Sequence, residues 1–348
     1  MPRPPRIAHR VVLAAALAGL VACGSDEGGS DTAAPAGGAA DEAVFDGVAL
    51  DLVVPYEPGG GYDAYARAMA PYLEQCLGAT IVVKNEPGAG GLLATNKTAA
   101  APTDADRIQI VNTAGLVSAQ LAGAEGANFD LNDLSWIGRV SSPPNVIVVG
   151  ANSPIKSFQD MVDASSPIRF VAQGEGANDY IAPNIVAQAY DFPYEIITGF
   201  AGSSEARTAV IAGDADAHAL PVDSQLGAIE SGDVRPIVTI DEEPDPLLPD
   251  TPTIYDTDPG EDAKAIIDSL VAMGQTGRAL MASPEMDDAR LTALREGFQC
   301  AVEQDDLLAE LEEQKRPLDP LSGEETAQLI QDVLQSPEEF TALVTESY

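Results

Sequence analysis

The chain has 348 residues, of which 45% are hydrophobic and 5% aromatic, so it can build a core that is mainly aliphatic. It carries 18 Lys and Arg residues against 55 Asp and Glu residues, a formal net charge of -37. This balance argues against nucleic acid as a partner, because phosphate contacts need clustered Lys and Arg. The acidity itself is typical of a solvated surface.

The first 22 residues have the pattern of a secretory signal peptide. Three arginines precede an apolar stretch at 11–22 that is too short to span a bilayer. The stretch runs into Leu-Val-Ala-Cys-Gly at 20–24, which resembles a bacterial lipobox and implies cleavage before Cys23 and lipidation of its sulfur. An ordinary signal peptide followed by a chance cysteine is the alternative.

A polar segment follows the signal peptide. Residues 24–43 are mostly Gly, Ala, Ser, Asp and Glu, a composition that buries little surface. We therefore predict a flexible tether over 23–45. Together with the lipid on Cys23, this tether would hold the folded body outside the cytoplasmic membrane and anchored to it.

Two cysteines remain once Cys23 is set aside. Cys76 and Cys300 both lie in helical patterns, and an exported protein folds in an oxidising compartment. We expect a disulfide that joins an early helix to a late one. Two buried free thiols are the alternative.

Strand and helix patterns alternate from residue 50. Apolar runs predict strands at 50–55, 81–83, 108–112, 136–140, 146–149, 168–172, 195–197, 215–220 and 235–239. Apolar residues at three- and four-residue spacing predict helices at 63–77, 91–101, 157–163, 180–190 and 205–212, before a helical C-terminal region. Asp63 is placed to cap the first helix, and Ser322 with Glu325 forms a capping box. The alternation predicts an α/β fold with largely parallel sheets, whose functional crevice lies at the carboxyl ends of the strands.

Glycine-rich turns follow the strands at 50–55, 81–83 and 195–197. Each turn opens a helix, so its backbone N–H groups can hold an anion without a cationic side chain. This matters in a chain with so few cations. Three turns of this kind, at 58–63, 87–91 and 198–204, predict an anion site, although glycine also serves tight turns for steric reasons alone.

The paired turns VPYEPGGGYD at 54–63 and NEPGAGG at 85–91 resemble the signatures of one family. It is the substrate-binding proteins of tripartite tricarboxylate transporters, also called Bug receptors. Further segments similar to that family are LSWIG at 134–138, FAGSSEA at 200–206, IAGDAD at 211–216 and LPDTPT at 248–253. The resemblance covers nearly all of the predicted body.

The resemblance implies an α/β, two-lobed periplasmic-binding-protein-like fold of type II, with the ligand cleft between the lobes. We place lobe 1 at 46–147 plus 240–348 and lobe 2 at 148–239. The family's ligands are di- and tricarboxylates, amino acids and aromatic acids, held largely by backbone amides. The implied function is capture of a small carboxylate and its delivery to membrane permease subunits, by a monomer without a metal or another cofactor.

The candidate ligand-binding residues belong to the glycine turns and to neighbouring strand ends. They are Tyr56, Gly59, Gly60, Gly61, Asp63, Asn85, Gly88, Ala89, Gly90, Gly91, Thr113, Gln173, Gly174, Gly176, Asn178, Phe200, Gly202 and Asp216. Glu175 lies beside the expected cleft, where its carboxylate would repel a second ligand carboxylate unless it faces solvent. The alternative is a ligand with an amine or hydroxyl at that end.

Catalytic patterns are absent from the sequence. There is no Gly-x-Ser-x-Gly elbow, no P-loop, and no His/Cys cluster with metal-ligand spacing. His218 alone offers little for a triad and is expected to be structural. We therefore predict a binding protein. The alternatives are a ligand-sensing subunit of the same fold and an extracytoplasmic hydrolase.

Overall fold

The computed structural model describes residues 44–348. Its strands are β1 (Ala49–Val54), β2 (Thr80–Asn85), β3 (Arg107–Asn112), β4 (Ser135–Ser141), β5 (Asn145–Gly150), β6 (Ile168–Val171), β7 (Tyr194–Ile197), β8 (Ala217–Pro221), β9 (Val234–Ile240), β10 (Arg278–Ala282) and β11 (Leu321–Ser322). Its helices are α1 (Gly61–Leu77), α2 (Leu92–Ala99), α3 (Thr113–Ala122), α4 (Phe158–Val162), α5 (Asn178–Ala189), α6 (Ser203–Ala212), α7 (Val222–Glu230), α8 (Glu261–Gln275), α9 (Asp288–Val302), α10 (Asp305–Glu313), α11 (Gly323–Leu334) and α12 (Glu338–Glu346). The predicted signal peptide, Cys23 and the tether up to residue 43 lie outside the described residues.

The strands form two sheets, one in each lobe of a two-lobed α/β fold. The first has the order β11-β4-β10-β3-β1-β2, and the second has the order β7-β6-β8-β5-β9. The chain passes from the first sheet to the second between β4 and β5 and returns after β9. The lobed fold predicted from the sequence is therefore confirmed, while the residue ranges given for the lobes remain a prediction.

Most strands of each sheet run in one direction, as expected, but β10 and β11 in the first sheet and β5 in the second run the opposite way. The strands β1, β2 and β3 run parallel, as do β6, β7 and β8. In contrast, β10 is antiparallel to β3 and β4, and β5 is antiparallel to β8 and β9. The reason is the double crossing between lobes: β5 and β10 each enter their sheet at the end where the neighbouring strands finish.

The predicted disulfide between Cys76 and Cys300 is present, with the two Cα atoms 6.0 Å apart. It joins α1 to α9, which pack through buried residues that include Leu73, Leu77 and Phe298. The folded body begins slightly earlier than predicted. Phe45, assigned to the tether, is buried, and the Arg290 guanidinium lies 4.6 Å from the centre of its ring.

Within the described residues, no helix is long and apolar enough to cross a membrane. The predicted capping box is confirmed, since Ser322 accepts a hydrogen bond from the Glu325 backbone and Glu325 accepts one from the Ser322 backbone. The predicted cap at Asp63 is wrong, because α1 begins at Gly61 and has Gly60 as its N-cap. Asp63 lies in the first turn of α1, where its carboxylate accepts hydrogen bonds from Gly59, Arg67 and Asn85.

Candidate functional site

A cavity of about 780 Å³ lies where the carboxyl ends of the parallel strands of the two sheets face each other. Its walls come from the second and third glycine turns and from the turn that follows β6. The lining residues are Pro55, Tyr56, Pro87, Gly88, Ala89, Gly90, Gly91, Leu92, Gln173, Gly174, Glu175, Tyr180, Ile196, Thr198, Gly199, Phe200 and Ala201. None of these residues is a Lys or Arg, and Glu175 is the one formal charge among them.

The second turn meets the opposite lobe through glycine backbone. Gly90 has φ +63°, and a Cβ added there would lie 2.5 Å from the Gly176 nitrogen and 2.9 Å from the Gly174 carbonyl. Asn112 donates from Nδ2 to the Gly176 carbonyl at 3.2 Å, and Tyr56 donates from its hydroxyl to the Gly90 carbonyl at 3.2 Å. The chain needs glycine at 90 because no side chain fits between these backbones.

The first turn faces a second, much smaller cavity of about 20 Å³. Gly60 and Gly61 line it from one side, and Ser203 and Ser224 line it from the other. Its volume leaves room for about one water molecule. The larger and smaller cavities share Tyr56 and Gln173, so the two are neighbours.

Two predicted ligand residues, Asp63 and Asn85, instead join the first turn to the second. Asp63 accepts hydrogen bonds from the Gly59 N–H at 2.9 Å, from Arg67 at 3.0 Å and from Asn85 at 3.0 Å. Asn85 also donates to the Tyr56 carbonyl at 2.9 Å. Burial alone would raise the pKa of Asp63, but these hydrogen bonds outweigh it and lower that pKa. Both side chains are therefore scaffold for the turns.

Gln173 lines the cavity and belongs to a buried network of hydrogen-bonded side chains. Its side chain donates to Asp179 at 3.0 Å, and Asp179 lies 3.2 Å from Nε2 of His218. The other imidazole nitrogen of His218 is 3.1 Å from Nε2 of Gln225. A neutral imidazole that donates from Nε2 and accepts at Nδ1 satisfies both contacts. His218 is thus structural, as expected, and it holds Asp179 in place behind Gln173.

Several predicted residues lie away from the large cavity. Asp216 is a correction: it precedes the amino end of β8, opposite the cleft, and pairs with Arg169 at 2.9 Å. Thr113 is fully buried and donates to the Gly277 carbonyl. Gly59 and Asn178 line neither cavity, and Gly202 packs against Glu57. Gly176 lies just behind the cavity wall, against Gly90.

Sequence analysis missed Arg278, which is buried beneath the first turn. Its Nη2 donates to Asp223 at 2.8 Å and to Ser224 at 3.1 Å, and its guanidinium lies about 5 Å from the rings of Tyr62 and Tyr65. Burial disfavours its charge, but the Asp223 carboxylate outweighs that effect and raises the pKa of Arg278. The pair joins β10 in the first sheet to α7, which follows β8 of the second. No local sequence pattern predicts the pairing of Arg278 with Asp223, because the two residues are 55 positions apart.

Four of the helices that begin near the cleft lack a side-chain cap at their N-terminus, and α3 is capped by Asn112. The helices α1, α2, α5 and α6 follow Gly60, Gly91, Ala177 and Gly202, and none of these residues supplies a side-chain cap. Uncapped helices are not confined to the cleft, since α8, α10 and α12 also lack side-chain caps, whereas α4, α9 and α11 are capped by Ser or Asp side chains. Backbone donors near the cleft are therefore left for a ligand or water.

The second turn is also held by a charge cluster. Arg107 donates two hydrogen bonds to Glu86, each of 3.0 Å, and Lys97 lies 2.9 Å from the same carboxylate. The hydrogen bonds from Arg107 outweigh partial burial and, with those from Lys97, lower the pKa of Glu86 to about 2. The pair fixes the residue that precedes Pro87, where the turn begins.

This low pKa predicts a pH-dependent contribution to stability. A carboxylate whose pKa is lower in the folded state stabilises the fold above its unfolded pKa and loses that effect as the pH falls towards 2. We expect Glu86→Gln to lower the free energy of unfolding by about 1 kcal/mol at pH 7, since solvent screens the pair. Urea titrations from pH 7 to pH 2 should show this difference shrinking below pH 5. Glu313→Gln, at an exposed carboxylate with no ion-pair partner among residues 44–348, is the control; an equal, pH-independent loss in both variants would contradict the prediction.

Comparison with known proteins identifies the family. The family model described as "Tripartite tricarboxylate transporter family receptor" matches residues 65–341. The chain belongs to this receptor family. The match covers every strand of both sheets except β1 and contains every candidate ligand residue from Asn85 onward. Members of the family are substrate-binding receptors and not enzymes, which sets aside the hydrolase alternative.

Individual relatives are distant. A "UPF0065 protein in tcbD-tcbE intergenic region" of Pseudomonas sp. (strain P51) is 28% identical over 209 residues, 59% of this chain and 62% of that protein. BugT of Bordetella pertussis is 23% identical over 210 residues, 59% of this chain and 64% of BugT. These matches thus span less than two thirds of either relative.

Solved structures confirm the fold. The periplasmic binding protein BugD superposes with a TM-score of 0.74 at 19% identity, covering 87% of this chain and 98% of BugD. MatC from Rhodopseudomonas palustris with bound malate gives a TM-score of 0.72 at 20% identity, covering 85% of this chain and 98% of MatC. At these identities the likeness establishes a common fold.

Proposed function

We propose that this receptor is an extracytoplasmic solute-binding lipoprotein that captures a small carboxylate and delivers it to the permease subunits of a tripartite tricarboxylate transporter. The observation that carries the proposal is the cavity of about 780 Å³, walled by glycine turns and lacking any Lys or Arg among its lining residues. The family's description and the malate bound to MatC support a carboxylate as the ligand.

Backbone donors replace cationic side chains in this proposal. One ligand carboxylate would accept hydrogen bonds from N–H groups of the turns at 88–90, 174–175 and 199–200, with the hydroxyl of Tyr56 nearby. The N–H groups of Gly91, Gln173 and Ala201 already donate within the protein. A helix N-terminus contributes about 0.3–1 kcal/mol to an exposed anion and more when partly buried. Several such donors and the exclusion of water on lobe closure are needed for tight binding.

The smaller cavity is consistent with the same proposal, because closure of the two lobes would reduce the space between the first and third turns. Gly60 and Gly61 face Ser203 and Ser224 across it, so donors of the first and third turns converge there. We propose that opening of the lobes, 46–147 plus 240–348 against 148–239, admits the ligand to both cavities. A lipid on Cys23 and the tether at 23–45 would keep the receptor beside its permease.

A thermal-shift screen of carboxylates tests the binding function. A true ligand should raise the melting temperature with a concentration dependence set by RT ln(1 + [L]/Kd), and mass spectrometry should recover it unchanged. Recovery of an altered compound would contradict the receptor reading, and the absence of any carboxylate ligand would contradict the proposal. For transport, deletion of the gene should abolish uptake of the bound compound; undiminished uptake would argue against the permease partnership.

A further inference from the structure

Glu175 occupies a distinctive position at the large cavity. It is the one formally charged lining residue, and its side chain is exposed. Within the described part of the chain, its carboxylate has neither an ion pair nor a hydrogen bond. The carboxylate is therefore free to interact with whatever the cavity holds.

The backbone at Glu175 is held in place from three sides. The neighbouring Gly174 and Gly176 pack against Gly90, with Gly90 backbone atoms about 3 Å from the positions where their Cβ atoms would be. Tyr348 donates a hydrogen bond from its hydroxyl to the Glu175 carbonyl. While these contacts between the lobes are made, rotation of its own side chain is what moves the carboxylate relative to the cavity.

Aromatic residues line the same cavity as Glu175. Tyr180 and Phe200 line the same cavity, and the ring of Tyr348 lies 5.4 Å from that of Tyr180. Burial and then the negative charge of Glu175 raise the pKa of Tyr180, consistent with the place of both residues in the wall of one cavity. A carboxylate beside aromatic faces is a favourable environment for an ammonium group, whereas a second carboxylate would meet like charge.

We propose that Glu175 selects a ligand with one carboxylate and an ammonium group at its far end, over a dicarboxylate of equal length. This inference rests on the proposed function, since the turn amides must hold the first carboxylate. The ligand class is thus an ω-amino acid, with its ammonium group at the opposite end of the chain from its carboxylate. Glu175 acts as a specificity determinant and makes no contribution to the anion site itself.

Probes of matched length test the inference on the full-length receptor. Adipate, 5-aminopentanoate and hexanoate share a six-atom chain and differ only at the far end; shorter and longer homologues extend each series. Isothermal titration calorimetry should give the tightest binding for an amino acid of the series. Glu175→Gln should weaken that amino acid about threefold and tighten the equivalent dicarboxylate about threefold, a tenfold change in preference that fades at high salt.

Glu195→Gln is the matched control, because it removes the same charge from the same lobe at an exposed strand position outside the cavity lining. It should leave the preference unchanged. Tighter binding of the dicarboxylates, with a preference that Glu175→Gln does not alter, would overturn the inference and leave the proposed function standing. Failure of every carboxylate to bind would overturn both.

Discussion

Arg278→Met should lower the free energy of unfolding by about 3 kcal/mol, because it leaves the buried Asp223 carboxylate with only the more distant Arg316, 3.6 Å away, as a cationic partner. The side chains of the pair are 1% and 0% exposed, and their atoms are 2.8 Å apart. A domain typically has about 5–15 kcal/mol of net stability, so this single change would remove a large share of it. Urea unfolding at pH 7, followed by circular dichroism, measures the loss.

Two further variants separate this effect from simple loss of packing. Arg278→Met combined with Asp223→Leu should be more stable than Arg278→Met alone, since the fully buried carboxylate is gone and the remaining charge, on Arg316, has a side chain that is 19% exposed. Lys264→Met breaks an exposed pair with Asp268, whose side chains are 54% and 46% exposed, and should cost about 0.5 kcal/mol or less. Equal losses in the single and double variants would show that the charge pair is not the cause.

The sequence was sufficient to predict the parts of this molecule that depend on local pattern. The strand, turn and helix order around 54–63 and 85–91 follows from an apolar run, a Pro-Gly turn and three- or four-residue spacing, each encoded within about 20 residues. The disulfide was predictable from the number of cysteines and the expected compartment. The capping box at Ser322 needed only the residue three positions later.

What the sequence did not reveal depends on contacts between distant segments. The strands β5 and β10 are antiparallel to their neighbours because the chain crosses twice between the lobes. The spacing of apolar residues does not indicate such crossings. Asp216 was placed at the site because its motif resembles a family signature, yet it precedes the amino end of β8. Arg278 and Asp223 are 55 positions apart, so their pairing leaves no local trace.

The three glycine turns were predicted as equivalent parts of one anion site, and the structure distinguishes them. Gly60 has φ -83°, a conformation open to other residues, and a Cβ there would meet only the Ser203 hydroxyl at 3.2 Å. Gly90 has positive φ and backbone neighbours in the opposite lobe. A hydroxyl can rotate away, whereas two packed backbones cannot, so substitutions at these two glycines should have different effects.

Gly90→Ala should therefore weaken binding of the ligand found in the carboxylate screen by about 100-fold. The added Cβ would lie 2.5 Å from the Gly176 nitrogen, so the lobes could close only after one backbone moved, at a cost of about 1–3 kcal/mol. Isothermal titration calorimetry measures the affinity. Gly60→Ala should reduce the affinity much less, because the single close contact of the added Cβ is the Ser203 hydroxyl.

Gly123→Ala is the matched control for backbone strain. Gly123 shares the φ of +63° with Gly90, but its Cβ would have nothing within 4 Å. Both alanine variants should lose about 1 kcal/mol of stability from the left-handed conformation, and only Gly90→Ala should lose affinity. Wild-type affinity in Gly90→Ala would mean that the ligand is held without close approach of these two turns. The carboxylate would then have to be bound elsewhere, and the first turn, with its uncapped α1, would be the remaining candidate.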